Sequence, residues 1–468
     1  MLLALAFPPF SLWPLAWVAL IPLLAAALAA PDAKAAANVA AVGGLVFYAA
    51  SLHWLLKVFG WIAPAFWSIY CLWLCLAVAL VWGLWHEPPA SLPSRWRPWA
   101  WIAMSAAVWV GCEYFRSEVW PLKNTWLALG FSQTACLPIL QSASLWGVYG
   151  LSFFIAAFNC AALLAWRGER KPLVVLAAAL AALWFWGRYR VAHHPPGSGE
   201  PVAVTLVQDE SCDLDKLFKL SLDGQARDAD ILVWPEYSFT VQADHSRRFQ
   251  ELLARKLKGT KAVAVLSGAV FPDDMGKGRM QNFTWVMAPG GELLGRYDKR
   301  HPIQFVENRL PAGPMPRAID SPAGRLGIQI CYDLDFEDGT RHLVRDGAQM
   351  LLVPNEDPWE WTDWQHLQHS AMAPMRAVES GLWIARAASS GYSQIIDPVG
   401  RVTAQMATGA SGTLLGTVRQ ARPGTVYSRL GWLWAPLCLG FTVVLTGLFL
   451  GTALLNAGAR SASARSGR

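Results

Sequence analysis

The sequence predicts two fold classes in one chain: a multi-pass α-helical membrane domain and, inserted into it, a soluble α/β domain. Three observations carry this. Hydrophobic residues make up 54% of the 468 positions and charged residues only 15%, against about 25% charge in an ordinary soluble domain. Long uncharged stretches gather at both ends of the chain. Between Arg190 and Arg429 charges become frequent, and no apolar run there is long enough to span a bilayer. This balance excludes a disordered chain, and 8 Cys in such a length exclude a disulfide scaffold. The net charge of +6 is spread without a Lys/Arg run, so the chain carries no nucleic-acid footprint. The 26 Trp residues suit the aromatic belts of a membrane interface.

Residues 1–31, 35–56, 62–85, 137–166 and 430–455 are free of charge. About 20 apolar residues in a helix cross a hydrocarbon core of ~30 Å, so each is long enough. Two shorter stretches, 99–112 and 173–187, span with help from their flanks. The expected organisation is about six to seven transmembrane helices over 1–190, a soluble domain over 191–428, a final transmembrane helix over 429–456 and an Arg-rich tail over 457–468. Pro8, Pro9 and Pro14 interrupt the first stretch and argue against one continuous helix there, since proline removes a donor and clashes with the preceding turn. Residues 13–30 suffice to span, which leaves 1–10 as part of a re-entrant segment or places the start upstream. No charged region precedes the apolar part, against a cleaved signal peptide.

Lys34, Arg95 with Arg97, the group Arg167, Arg170 and Lys171, and the tail residues Arg460, Arg465 and Arg468 alternate with the spans. Positive loops stay in the cytoplasm. One crossing then separates Lys171 from the soluble domain, which puts that domain on the outer, periplasmic face of a bacterial inner membrane. Six of the Cys lie in or beside the spans; Cys212 and Cys331 belong to the soluble domain.

Within the soluble domain, 202–207, 231–234, 262–270, 283–288, 326–330 and 350–353 are short apolar runs rich in β-branched residues. Turn sequences at 288–291 and 321–324 bound them, and helical patterns at 246–258 and 364–379 interleave. Buried strands alternating with helices give α/β layers. The stretch HHPPGSGE at 193–200 reads as the linker into this domain.

Three strand ends carry chemistry. The run at 231–234 leads into Pro235-Glu236, the run at 326–330 into Cys331-Tyr332-Asp333, and Arg296-Tyr297-Asp298-Lys299-Arg300-His301 supplies a cation before a Pro-containing loop. A cysteine becomes a useful nucleophile with a base and a cation beside it. Glu236 is therefore expected to take the thiol proton of Cys331, and Lys299 to lower the thiol pKa and stabilise an oxyanion.

VWPE at 233–236, YDKRH at 297–301 and ICYD at 330–333, in this order, resemble the carbon–nitrogen hydrolase (nitrilase) superfamily. The resemblance implies an α-β-β-α sandwich with a catalytic Glu236, Lys299 and Cys331. It extends to MRAVESGLWIARAASSGYSQIIDPVGR at 375–401. The membrane part narrows it: AFPPFSLWPLAWVALIPLL at 6–24, Cys112-Glu113-Tyr114-Phe115-Arg116, LGFSQ at 129–133 and GVYGLSFF at 147–154 look like apolipoprotein N-acyltransferases. That likeness implies a supporting carboxylate eight positions after the Lys, Glu307, and a supporting Tyr332 after the nucleophile. This sequence departs from the family around the site: HPIQFVE at 301–307 for HLVPFGE, Asp333 for Glu, Glu356-Asp357-Pro358-Trp359-Glu360-Trp361 for NDAWFG, and Asp209-Glu210 for Gly-Asn.

The implied reaction is ping-pong transfer of an acyl chain from a phospholipid donor, through a Cys331 thioester, to the amine of S-diacylglyceryl-cysteine on an apolipoprotein. The implied protein acts as a membrane-embedded monomer without cofactor or metal. His366 and His369 share one helix face without a third ligand and are expected to make polar packing contacts. Trp359, Trp361, Trp364 and Phe305 are candidates for an apolar lip toward lipid. Two other readings stay open: a membrane-tethered amidase hydrolysing a C–N bond, which the CYD form suits, and a weakly active lipoprotein-binding paralogue, which the altered loops suit. A Cys331-linked acyl chain separates transferase from amidase; rescue of a strain lacking the transferase eliminates the binding-only reading.

Overall fold

The computed structural model describes residues 1–468 apart from 89–91, 194–198, 272–279, 308–309, 422–423 and 467–468, and describes side chains as far as 452. Most of the 193–200 linker, the side chains of Arg460 and Arg465, and Arg468 therefore lie outside the described residues. The chain divides into two compact units: 1–132, 148–183 and 432–468 form the first, 133–147 and 184–431 the second.

The first unit is helical. Among the described residues, helices at Ala33–Ser51, Leu55–His86, Ala143–Trp166, Lys171–His193 and Gly431–Thr452 are long and apolar enough to cross a membrane. Arg97–Tyr114 adds an 18-residue helix, with Pro98 in its first turn where no donor is lost. Val174, Val175, Val443, Val444 and Leu448 are all more than half exposed. Such apolar faces find their solvent in hydrocarbon. The prolines break the first stretch as expected: short turns at Ala4–Ala6 and Trp13–Trp17 precede a helix at Ile21–Leu28. The 137–166 stretch departs from one continuous span. A short helix at Leu137–Leu140 is followed by Ala143–Trp166, which is itself broken at Gly147, φ +71°. Hydropathy does not register a backbone break that only glycine adopts freely. Gly111 meets a different demand. A Cβ there would lie 2.1 Å from Thr442 Oγ1 and 2.7 Å from the Cys438 carbonyl, so only a hydrogen lets helix 97–114 and the C-terminal helix approach this closely.

The second unit is an α-β-β-α sandwich. Its strands are β1 (Pro201–Gln208), β2 (Ile231–Val233), β3 (Thr240–Gln242), β4 (Val263–Phe271), β5 (Gln281–Met287), β6 (Leu293–Asp298), β7 (Ile319–Ser321), β8 (Gly324–Ile328), β9 (Met350–Asn355), β10 (Trp383–Ala388), β11 (Gln394–Ile396), β12 (Val402–Gln405) and β13 (Gly412–Arg419). One sheet runs β13-β1-β2-β4-β5-β6, with β3 also on β4; the other runs β12-β11-β10-β9-β8-β7. Side chains alternate between two burial environments. Val204, Leu206, Val233 and Val265 face Ile328, Leu352, Trp383 and Ala385 in the core between the sheets. Val207, Leu232 and Trp234 turn outward against Leu217, Phe218 and Leu253 of one helical layer. Leu351, Val353 and Ile384 pack on Leu343, Ala373 and Ala377 of the other. Strands covered on both faces read as continuous apolar runs, which is why they stand out in the sequence. The 364–379 pattern resolves into two helices, Thr362–Ser370 and Met372–Ser380, instead of one.

β1, β2 and β4 are parallel, β5 runs against them, and β6 returns to their direction. β8, β9 and β10 are parallel in the other sheet. The carboxyl ends of β2, β6, β8 and β9 carry the residues of the site.

Candidate active site

Glu236, Lys299, Glu307, Cys331, Tyr237, Glu356, Met280 and Trp361 line one cavity of ≈ 390 Å³. Each of the three residues expected to be catalytic leaves the end of a strand. Glu236 follows β2, is 2% exposed, and precedes Tyr237 at φ +55°. Lys299 follows β6, and its backbone N–H donates to the Asn282 carbonyl at 2.9 Å. Cys331 lies three residues beyond β8 at φ +49°. A non-glycine residue in the left-handed region costs of order 1–3 kcal/mol and persists where its surroundings over-determine it.

Asp333 supplies that determination. Its carboxylate accepts hydrogen bonds from the backbone N–H of Ile330 at 3.1 Å and of His301 at 2.7 Å, and from Tyr297 Oη at 2.7 Å. One buried carboxylate thus ties the cysteine turn to the segment carrying Lys299. Burial alone would raise its pKa, but His301 and Tyr297 hold it below the ordinary Asp value. Tyr332 packs edge-on against Phe336 with ring centroids 4.9 Å apart.

Lys299 Nζ donates to Glu236 Oε1 at 2.8 Å and stands 2.8 Å from Glu307 Oε2. Asn282 Nδ2 donates to Glu236 Oε1 at 2.6 Å, and Tyr237 Oη to Glu307 Oε1 at 2.5 Å. The Glu356 backbone N–H donates to Glu236 Oε2 at 2.9 Å, and Cys331 Sγ lies 3.6 Å from the Glu356 carbonyl. Glu307 therefore joins the set, and Tyr237, Asn282 and Glu356 enter without having been anticipated. Tyr237 adjoins VWPE and was within reach of the motif. Asn282 carried no local signal, because its place depends on antiparallel register.

Burial would lower the Lys299 pKa, but Glu236, Glu307 and the thiol raise it well above its ordinary value. Burial raises Glu236 and Glu307 adds to this, while Lys299 opposes both. For Cys331 burial and Lys299 act in opposite directions, Lys299 as expected. Lys299 does pull the thiol down, but burial and the neighbouring Glu236 push it up by more, and the net shift is well upward. Burial thus favours the thiol form of Cys331, and Glu236 stands in the same cavity as the group suited to take its proton. Cys331 and Cys212 are both free.

His366 and His369 behave as polar packing. His366 Nε2 contacts the Pro358 carbonyl at 3.0 Å, and His369 lies 2.7 Å from Asp357 and 3.4 Å from Asp335. Asp357 also pairs with Arg386. His369 is pushed up to about 9: burial works against this, and the two carboxylates outweigh it.

A family model described as carbon-nitrogen hydrolase matches residues 203–426, and one described as apolipoprotein N-acyltransferase N-terminal domain matches residues 1–161. The sandwich domain is thus similar to the carbon–nitrogen hydrolases. A protein named apolipoprotein N-acyltransferase from Geobacter metallireducens is 30% identical over 96% of this chain and 93% of its own. Another of that name from Gloeobacter violaceus is 26% identical over 100% of this chain and 94% of its own. Among solved structures, an amidase from Nesterenkonia sp. aligns with TM-score 0.42 and 21% identity over 50% of this chain and 94% of that one. The chain belongs to the apolipoprotein N-acyltransferase family. It is a membrane protein and an enzyme with N-acyltransferase activity.

Proposed function

We propose that the protein moves an acyl chain from a phospholipid to the N-terminal amine of S-diacylglyceryl-cysteine on a lipoprotein, with Cys331 as the covalent carrier. The observation that carries this reading is the placement of Cys331, Lys299 and Glu236 on one cavity. Sγ attacks the donor ester carbonyl as Glu236 takes the thiol proton. The C–O bond breaks, Glu236 returns the proton to the leaving alkoxide, and a lysophospholipid departs. Lys299 stabilises the oxyanion of the adduct. The acceptor amine then attacks the thioester, the N–C bond forms, the C–S bond breaks, and a proton returns to sulfur.

Phe305, Val306 and Trp359 are 52%, 46% and 55% exposed, and Val306 reaches the cavity lining. Together they suit the role of an apolar lip for amphiphilic substrates, whereas Trp361 and Trp364 are partly buried. Loop charge favours a periplasmic position at the inner membrane for 191–428, between helices over 1–190 and 429–456, with the 457–468 tail in the cytoplasm; the chain is taken to act as a monomer. The test is intact-mass analysis of the purified full chain after mixing with phospholipid. An acyl adduct that maps to Cys331, is released by hydroxylamine and is absent in Cys331→Ala is the expected result. Transfer activity retained by Cys331→Ala overturns the assignment.

A further inference from the structure

Aminolysis of the thioester leaves one proton over. An α-amine titrates near 7.7–8.0, so at neutral pH much of the acceptor arrives as ammonium. In balance, R–NH3+ and the thioester give amide, thiol and one H+. The N–C bond forms, the C–S bond breaks, and one nitrogen proton ends on Sγ. A second proton has to leave the nitrogen before it attacks. Glu236 serves the first transfer, and Lys299 is already protonated.

Glu356 is placed for the second. It follows β9 directly, and its backbone touches both reacting partners: the N–H holds Glu236 at 2.9 Å, and the carbonyl lies 3.6 Å from Cys331 Sγ. Glu356 lines the same cavity as the thiol, together with Met280 and Trp361. The titratable and charged groups facing it are Glu236, Lys299, Glu307 and Asp357, with Cys212 on the 209–213 loop. Lys299 is the cation of this set, and both of its ion pairs go to Glu236 and Glu307. The sequence places this carboxylate where the family's NDAWFG segment has an amide.

We propose that the Glu356 carboxylate receives the acceptor's ammonium in the cavity and takes its surplus proton, releasing the neutral amine that attacks the Cys331 thioester. This rests on the transfer reading above. Burial, then the charges of Glu236 and Glu307, push Glu356 up to about 8 against the pull of Lys299. That matches an α-amine, so the proton passes between them at little cost in either direction. Burial and the neighbouring carboxylates favour the protonated carboxyl when no cation is beside it. An entering ammonium replaces that proton as the neutralising charge, and after transfer the protonated carboxyl gives its proton to water. A partner of this kind selects an acceptor with a terminal amine over a neutral amphiphile of similar shape.

The test separates the two half-reactions in the full-length protein. Wild type, Glu356→Gln and Glu356→Asp are loaded with an acyl chain from phospholipid. The thioester is then discharged in single turnover by a diacylglyceryl-cysteine peptide, from about pH 6.5 to about pH 9.5, across the α-amine's range. Near neutrality, discharge of Glu356→Gln should fall by about 10²-fold relative to its own loading rate, the scale of one general-base contribution. The deficit should shrink as rising pH neutralises the amine, should be small with hydroxylamine as acceptor, and should be partly repaired in Glu356→Asp. A deficit that is constant across pH, equal for both acceptors or equal in loading and discharge overturns the proposal, and the Asp variant carries the same comparison if the Gln variant does not load. If wild type forms no thioester, the transfer reading itself falls and takes this inference with it; a normal wild-type thioester with a pH-independent ratio overturns this inference alone.

Discussion

Lys299→Met is the most demanding perturbation of the site. The substitution keeps the length of the stem and deletes an ammonium that is 2% exposed and 2.8 Å from each of two carboxylates. At an effective dielectric of about 20, each contact is worth about 6 kcal/mol of Coulomb attraction. Most of this offsets the desolvation of three buried ions, and removal of one partner from such a set costs about 3–5 kcal/mol. For a domain of this size that corresponds to a drop in Tm of roughly 6–20 °C. The loss has a defined pH dependence. Glu236 already sits above its ordinary pKa in the folded state, and without Lys299 it rises further. A carboxyl raised on folding keeps its stability contribution below its unfolded pKa and loses it as pH climbs through the folded value. The deficit of Lys299→Met should therefore be largest at neutral and alkaline pH and shrink as pH falls toward the carboxylate range. Thermal unfolding in detergent, followed by tryptophan fluorescence from about pH 5 to about pH 8, measures it. A deficit under about 1 kcal/mol, or one indifferent to pH, would refute the view that Lys299 neutralises two buried carboxylates.

Three further outcomes are expected. Thioester formation should fall on the acid side with an apparent pKa above the ordinary Glu value of about 4.3, because burial raises Glu236; Glu236→Gln should slow loading by about 10²–10⁴-fold, as intact mass against time would record. Tyr237→Phe removes a donor to Glu307 and should cost about 1.5–3 kcal/mol, the worth of a hydrogen bond to a charged group, measurable by chemical denaturation. Gly111→Ala places a methyl against Thr442 and the Cys438 carbonyl; overpacking of this kind costs about 1–3 kcal/mol, and a variant as heat-stable as the parent would contradict the close approach of those helices.

The residues that carry the chemistry differ in how openly the sequence displays them. Glu236 and Cys331 are conspicuous because each polar side chain closes an apolar β-branched run, and Lys299 because it lies in a charged run before a Pro-containing loop. Asn282 is silent. It reaches Glu236 only because β5 and β6 pair with Phe283 opposite Asp298, which brings it beside Lys299. Glu356 sits in a segment whose departure from the family pattern was visible, yet its contacts to Glu236 and Cys331 arise from its backbone, and backbone atoms leave no trace in residue identity. The α/β layering was legible from strands buried on both faces, and the sandwich from the resemblance that the three motifs carry. The break at Gly147 was not, since hydropathy averages over it. The direction of the Cys331 shift also eluded the sequence: residue types name the charges, and only burial decides which of them prevails.

The pairing of β1 with β13 has a consequence for how such a chain is assembled. Pro201 lies opposite Arg419, so the first and last residues of the sandwich emerge side by side. A module whose entry and exit share one doorway can be carried on a single connection of a host chain, as domain insertion generally requires. The same doorway brings the two ends of the Pro201–Arg419 segment together, so that a short linker would suffice to join them.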